Sequence, residues 1–193
     1  MDEEKKKISF IINPKSGTQS KEQILHLLDE KLDKAKYVQE VIYTEYAGHA
    51  VEIAAQKAKE NVHAVVAIGG DGTINEIARS LVHTKTALGI IPCGSGNGLA
   101  RHLQISMEPK KAIEIINEGI IDVIDYGKIN EVPFFCTCGV GFDAFVSLKF
   151  AKAGRRGPLT YLEKTLLESL KYRSICRIRC YNIFSPLCIQ YAS

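Results

Sequence analysis

Ala64-Val-Val-Ala-Ile-Gly-Gly-Asp-Gly-Thr-Ile-Asn-Glu76 is the stretch that decides the fold. Its first five residues are continuously apolar and largely β-branched, the pattern of a strand whose sheet is covered by helices on both faces. Two glycines end the strand, and from Thr73 the apolar spacing becomes helical. Bare glycine backbone in front of a helix suits a polyanion, because N–H groups approach it closely and the helix aims its positive end at the same spot. An acid in that setting is unexpected. Asp71 beside phosphates calls for a cation such as Mg²⁺ or for a base acting on a substrate hydroxyl; otherwise it simply caps the helix.

The same alternation extends in both directions. Upstream, Ile8–Ile12 reads as a strand running into Asn13-Pro14, Glu22–Ala35 as an amphipathic helix, Val38–Tyr43 as a strand and His49–Lys59 as a helix. Downstream come a helix over Thr73–Val82, a strand over Ala87–Ile91 and a helix over Lys110–Glu118. This order predicts right-handed crossovers and an α/β nucleotide-binding domain with a layered parallel sheet over residues 1–125. Ligands of such domains gather where loops leave the C-terminal strand ends. Between Tyr126 and Cys138 two short apolar runs flank Asn130-Glu131, a hairpin signal, so residues 126–193 are expected to begin a second, β-rich domain. Behind the breaker Gly154-Arg-Arg-Gly-Pro158 a helix is expected over Thr160–Tyr172.

A chain of 193 residues with 46% hydrophobic and 24% charged residues is not disordered throughout. Its 25 Lys and Arg against 22 Asp and Glu leave a net charge of +3, too little to mark a nucleic-acid partner. No apolar run approaches the roughly 18 residues of a membrane-spanning helix. The start, Met1-Asp-Glu-Glu-Lys-Lys-Lys7, has no apolar core of the kind a secretion signal needs, so the expected compartment is the cytoplasm. The six cysteines, Cys93, Cys136, Cys138, Cys176, Cys180 and Cys188, fit no paired zinc pattern and are expected to be free thiols.

Three strand ends carry loops rich in small polar residues: Asn13-Pro-Lys-Ser-Gly17, Gly69–Glu76 and Pro92-Cys-Gly-Ser-Gly-Asn-Gly98. One such cluster is ordinarily a tight turn, but three at one sheet edge read as a ligand site. The spacing is neither the dinucleotide fingerprint nor the lysine-containing phosphate loop, and the protein-kinase signatures are missing.

Taken together these residues resemble the diacylglycerol kinase catalytic-domain family of lipid kinases, which also includes sphingosine and ceramide kinases. The likeness rests on Asn13-Pro14-x-Ser16-Gly17, on Thr44 followed by Gly48-His49-Ala50, on Gly69-Gly-Asp-Gly-Thr73-x-Asn75-Glu76, and on Pro92-x-Gly94-Ser95-x-Asn97. A weaker match follows in Gly139-Val-Gly-Phe-Asp-Ala144. The resemblance implies an ATP- and Mg²⁺-dependent transferase of lipid metabolism and phospholipid biosynthesis. It implies an ATP-contacting set of Asn13, Pro14, Lys15, Ser16, Gly17, Thr44, Gly70, Asp71, Gly72, Thr73, Asn75, Glu76, Gly94, Ser95 and Asn97. Asp71 would stand where the phosphoryl group moves, as base or as metal ligand, and Asp143 would meet the lipid head group.

The sequence also departs from the family. Asn97-Gly-Leu-Ala-Arg101 stands where many bacterial members have Asn-Asp-Phe-Ala-Arg, a form closer to sphingosine kinases. After Tyr181 nothing matches the later part of the family's β-rich domain, so a C-terminally truncated form is expected. Between Lys149 and Arg179 nine basic residues accompany two acids, which suits either peripheral contact with the anionic inner membrane surface or a solvated helix face. Arg155 and Arg156 suit ATP phosphates equally well. The alternatives are a phosphotransferase like NAD or sugar kinases, which share the Gly-Gly-Asp-Gly element, and a non-catalytic nucleotide-binding fragment. Homo-oligomerisation stays open.

Overall fold

The computed structural model describes residues 4–17, 20–139, 144 and 185–190. In chain order it contains β1 (Lys6–Ile12), α1 (Lys21–Lys31), β2 (Tyr37–Tyr43), α2 (His49–Lys59), β3 (Ala64–Gly69), α3 (Asp71–Leu81), β4 (Ala87–Pro92), α4 (Gly98–His102), α5 (Pro109–Glu118), β5 (Ile121–Ile129), β6 (Val132–Phe134) and β7 (Ser185–Gln190). The strands lie in the order β2-β1-β3-β4-β7-β5-β6. β2, β1, β3 and β4 run parallel, while β5 pairs antiparallel with both β7 and β6. The molecule is thus α/β, with a parallel sheet and the start of an antiparallel part.

Burial explains why the central strands are unbroken apolar runs. Every residue of β3 and β4 is buried. α1 packs with α5 and α2 packs with α3, which right-handed crossovers place on opposite faces of the sheet. α3 lays Ile74, Ile77, Ala78 and Leu81 against that sheet, an i, i+3, i+4, i+7 stripe. Beneath α2, Lys57 Nζ lies 2.8 Å from Glu40 and 2.9 Å from Glu60, and Ser9 Oγ donates to Glu40 at 3.1 Å, so that buried lysine is fully paired.

Several boundaries differ from the sequence pattern. α1 stops at Lys31, short of Ala35, because the Asp33 carboxylate accepts the N–H groups of Ala35 and Lys36 and closes a turn instead. α3 starts at Asp71, two residues before Thr73. Asn130 and Glu131 form the hairpin turn with φ of 46° and 66°, the left-handed pair that a two-residue connection requires.

The boundary expected at residue 125 falls inside β5. Six register pairs, from Ile121↔Gln190 to Tyr126↔Ser185, hold that strand to β7, so one compact unit takes in Met1–Cys136 and Ile183–Ser193. Asp143, the expected helix over Thr160–Tyr172 and the basic stretch Lys149–Arg179 lie outside the described residues.

β1 sits between β2 and β3, so the chain leaves β1 in one direction and returns in the other. That reversal opens a crevice at the C-terminal strand ends, where the glycine-rich loops emerge.

At the opposite edge, His63 precedes β3 with its ring stacked on Tyr37 at 6.2 Å and its buried Nε2 without a hydrogen-bond partner. Burial, aided by Lys6, holds its pKa below the ordinary 6.5. The folded protein therefore binds fewer protons here than the unfolded chain, and stability rises with pH through the window just under 6.5. Urea melts should show stability falling on acidification through that window, and His63→Phe should flatten the slope; an unchanged slope would show that this imidazole is not the group responsible.

Candidate active site

The loop after β1 is organised by Asn13. Its carbonyl accepts the Ser16 N–H at 3.2 Å and the Ser16 hydroxyl at 2.8 Å, while its Oδ1 accepts the Lys15 N–H at 3.0 Å. This Asx-type turn leaves Pro14 and Lys15 exposed and Ser16 buried. Asn13 Nδ2 reaches across to donate to Thr73 Oγ1 at 3.2 Å, tying the loop to α3. Gly17 closes it with φ +68°, and a Cβ there would lie 1.6 Å from the Cys93 carbonyl oxygen, so only glycine fits.

The β3–α3 and β4–α4 loops meet through backbone. A Cβ on Gly94 would stand 2.7 Å from Gly70 Cα, and one on Gly69 2.7 Å from the Thr73 side chain. Asn97 locks the second loop: its Oδ1 accepts the Gly94 N–H at 2.8 Å and its Nδ2 donates to the Gly94 carbonyl at 2.7 Å. Asn97 is buried with φ 54°, a left-handed position that asparagine tolerates better than most residues.

Asp71 joins the two loops. Its Oδ2 accepts the Asn97 N–H at 2.8 Å and its Oδ1 accepts the Gly98 N–H at 2.6 Å. The side chain does not cap α3, whose N-cap is Gly70 with no side-chain bond. Asp71 and Gly72 are exposed, and nothing lies within 4 Å of where a Gly72 Cβ would stand.

The fourth loop follows β2. Thr44 is buried and its N–H donates to the Ile12 carbonyl at 2.9 Å. Glu76, one turn along α3 from Asp71, accepts the Gly48 N–H at 3.3 Å and holds that loop to the same helix. Tyr46 stacks on His49 with ring centroids 4.4 Å apart, and its hydroxyl donates to Glu52 at 2.8 Å.

The sequence-derived set thus converges on one edge in two kinds. Asn13, Ser16, Gly17, Thr44, Thr73, Glu76, Gly94 and Asn97 hold the loops to one another. Pro14, Lys15, Gly72, Ser95 and Asp71 are exposed at the rim, and Gly70 and Asn75 are partly covered beside them. Sequence reasoning missed the Gly98 N–H as a partner of Asp71, although the Gly96-Asn97-Gly98 spacing signalled bare backbone there. It also missed Cys136, whose Sγ would lie 2.9 Å from a Cβ on Gly98.

A family model described as the diacylglycerol kinase catalytic domain matches residues 7–129, which include all four loops. The chain belongs to this family. It is 32% identical over 174 residues to a diacylglycerol kinase of Bacillus subtilis, covering 86% of this chain and 53% of that protein. It is 34% identical over 132 residues to a diacylglycerol kinase of Staphylococcus saprophyticus, covering 67% and 43%. A crystal structure described as a diacylglycerol kinase from Bacillus anthracis superposes with a TM-score of 0.58 at 25% identity, covering 67% of this chain and 48% of that one. The chain spans about half the length of these diacylglycerol kinase relatives.

Within this member of the diacylglycerol kinase catalytic-domain family, the two kinds of residue should separate by experiment. Gly72→Ala places a methyl where no atom outside its own helix lies within 4 Å, so the melting temperature should hold or rise slightly, whereas a nucleotide held at this rim would lose about tenfold in affinity. Unchanged affinity in an ATP titration would show that Gly72 does not line a nucleotide site. Asn97→Ala deletes both side-chain bonds to Gly94 and leaves the left-handed backbone to alanine, costing about 3 kcal/mol in denaturant melts.

Proposed function

We propose that this chain is the nucleotide-binding part of a lipid kinase that transfers the γ-phosphoryl group of ATP to a hydroxyl of a diacylglycerol or sphingoid-type lipid. The observation that carries the reading is the exposed Asp71 carboxylate, fixed by two backbone N–H groups where four loops converge at the sheet's switch point. Family membership supports the lipid-kinase class.

The phosphates would lie over Gly72, since α3 leaves the N–H groups of its first turn unbonded within the helix and glycine keeps the approach bare. Asn13, Thr73, Gly70 and Gly94 hold the walls of that cradle at fixed distances. The acceptor hydroxyl would meet Asp71. As its oxygen forms a bond to the γ-phosphorus and the bond to the β-γ bridging oxygen breaks, its proton passes to the Asp71 carboxylate and ADP leaves. Each Asp71 oxygen accepts one N–H, which sets the carboxylate's direction and leaves further lone pairs to accept the proton.

A single carboxylate together with triphosphate oxygens fits Mg²⁺, which keeps several waters and is bound through few carboxylates. Among the described residues no three His, Cys, Asp or Glu side chains stand close enough to hold a metal by themselves. Asp71 together with the triphosphate oxygens would hold the ion, which would supply charge neutralisation at the transferred group. No helix among the described residues is long and apolar enough to cross a membrane. A lipid acceptor would be met at a membrane surface.

The test is Mg²⁺-dependent transfer from labelled ATP into dioctanoylglycerol and sphingosine micelles, with ATP binding measured beside it. Asp71→Asn should lower transfer about 10³-fold. It should also cost about 1–3 kcal/mol of stability, because an amide turns one donor toward a backbone N–H that now bonds to a carboxylate oxygen. Transfer at the wild-type rate in the variant would end the role given to Asp71; ATP bound without labelled lipid in the parent chain would end the transferase reading of these residues.

A further inference from the structure

Asp71 stands in the chain between Gly70 and Gly72, the bare approach assigned above to phosphate. Its carboxylate is bordered by two glycines of another loop, Gly96 and Gly98. A Cβ on Gly96 would stand 2.8 Å from Asp71 Oδ2. A Cβ on Gly98 would stand 3.7 Å from Asp71 Oδ1 and 2.9 Å from Cys136 Sγ. One point in space therefore borders both the carboxylate and the thiol, and the chain keeps its own side chain at 98 away from it. Neither glycine has a positive φ, so backbone conformation does not account for them.

Cys136 comes from another part of the sequence, just past β6, and is exposed. β6 is held over α3 by a hydrogen bond from Arg79 Nε to the Pro133 carbonyl at 3.0 Å, which fixes where the residues after it emerge. By contrast Cys93, also close to these loops, is buried, and burial pushes its thiol up despite the nearby Lys21 ammonium. Of these two thiols, Cys136 is the one open to a ligand.

We propose that Gly98 and Cys136 form the acceptor-side wall of the site and determine specificity there, limiting how much bulk can accompany the hydroxyl that reaches Asp71. This rests on the reading of Asp71 as the group that meets the acceptor. A hydroxyl within hydrogen-bond reach of Oδ1 would lie beside the point that borders both the carboxylate and Cys136 Sγ, so its substituents would pass along the Gly98–Cys136 surface. The wall is a thiol side chain against a glycine methylene, with the Arg101 Nε donating to the neighbouring Gly96 carbonyl at 2.8 Å, and the thiol–methylene surface suits the carbon skeleton of a lipid alcohol better than the polyhydroxylated ring of a sugar.

Two measurements test this in the full chain. In the first, Cys136 is alkylated with iodoacetamide and its rate is read by peptide mass spectrometry, with Cys138 as the internal reference. Dioctanoylglycerol micelles should slow Cys136 alkylation at least fivefold relative to Cys138, whereas ATP alone should not. Equal rates with and without the lipid, or equal protection by ATP, would overturn the assignment. This readout needs no turnover, so loss of the kinase reading and loss of this one are separable: protection without transfer keeps the wall and ends the catalysis.

In the second, Cys136→Leu should raise the acceptor KM about tenfold and leave the ATP KM unchanged, and Cys136→Ala should accept bulkier alcohols. Gly98→Ala should behave like Cys136→Leu, and the Gly98→Ala, Cys136→Ala double variant should recover the acceptor KM, because removing Sγ frees the space that the new methyl takes. An ATP KM that rises in parallel, or failure of the double variant to recover while it melts like the parent, would show a structural contact instead.

Discussion

The first two turns of α3 are the constraint on which this site depends. Within six residues of one another, Asp71 binds the backbone of the β4–α4 loop, Thr73 accepts from Asn13 of the β1 loop, and Glu76 accepts from Gly48 of the β2 loop. Three loops from three strands are thus referenced to one rigid element. α3 can serve this way because Ile74, Ile77, Ala78 and Leu81 anchor its other face in a core with almost no exposure. Movement of the helix would carry the loops bonded to it together, whereas movement of a single loop would break one bond, or two for the β4–α4 loop, and leave the rest.

The arrangement separates two tasks that the lysine-bearing phosphate loop combines. Position is supplied by neutral amides and hydroxyls that satisfy one another, as Asn97 does with Gly94 and Asn13 with Ser16. The charged groups among the rim residues are the Asp71 carboxylate and the Lys15 ammonium, beside the positive N-terminal end of α3. Neutral bonds of this kind would not compete electrostatically with a triphosphate, so under the proposed reading the loops would stay in place as it binds.

Much of this was legible in the sequence, and the part that was not has a physical reason. β3 and β4 were readable because both faces are buried and every position is apolar, and α3 because its stripe is strictly helical. The loops were readable as a cluster because topology alone brings strand ends to one edge. What each polar side chain does there was not. Asn97 and Ser95 look equivalent in a run of small polar residues, yet one turns inward to brace the loop and the other stays exposed, a choice made by the left-handed backbone at 97. The extent of β5 was hidden for another reason. Its partner β7 lies some sixty positions later in the sequence, and antiparallel pairing over that separation leaves no local signal.

The glycines of the site show how function can be told from folding need. Gly17 is demanded twice over, by its left-handed φ and by the Cys93 carbonyl that a side chain would strike. Gly94 is demanded by the close approach of Gly70. Gly72 answers to neither demand: no atom outside its own helix lies within 4 Å of where its Cβ would stand, its φ is not positive, and it sits in the first turn of a helix. Under the proposed reading, that bare position is explained by a ligand that approaches the helix N-terminus from outside. The folded chain leaves that space open at a helix N-terminus beside a fixed carboxylate, which is the requirement a triphosphate would impose.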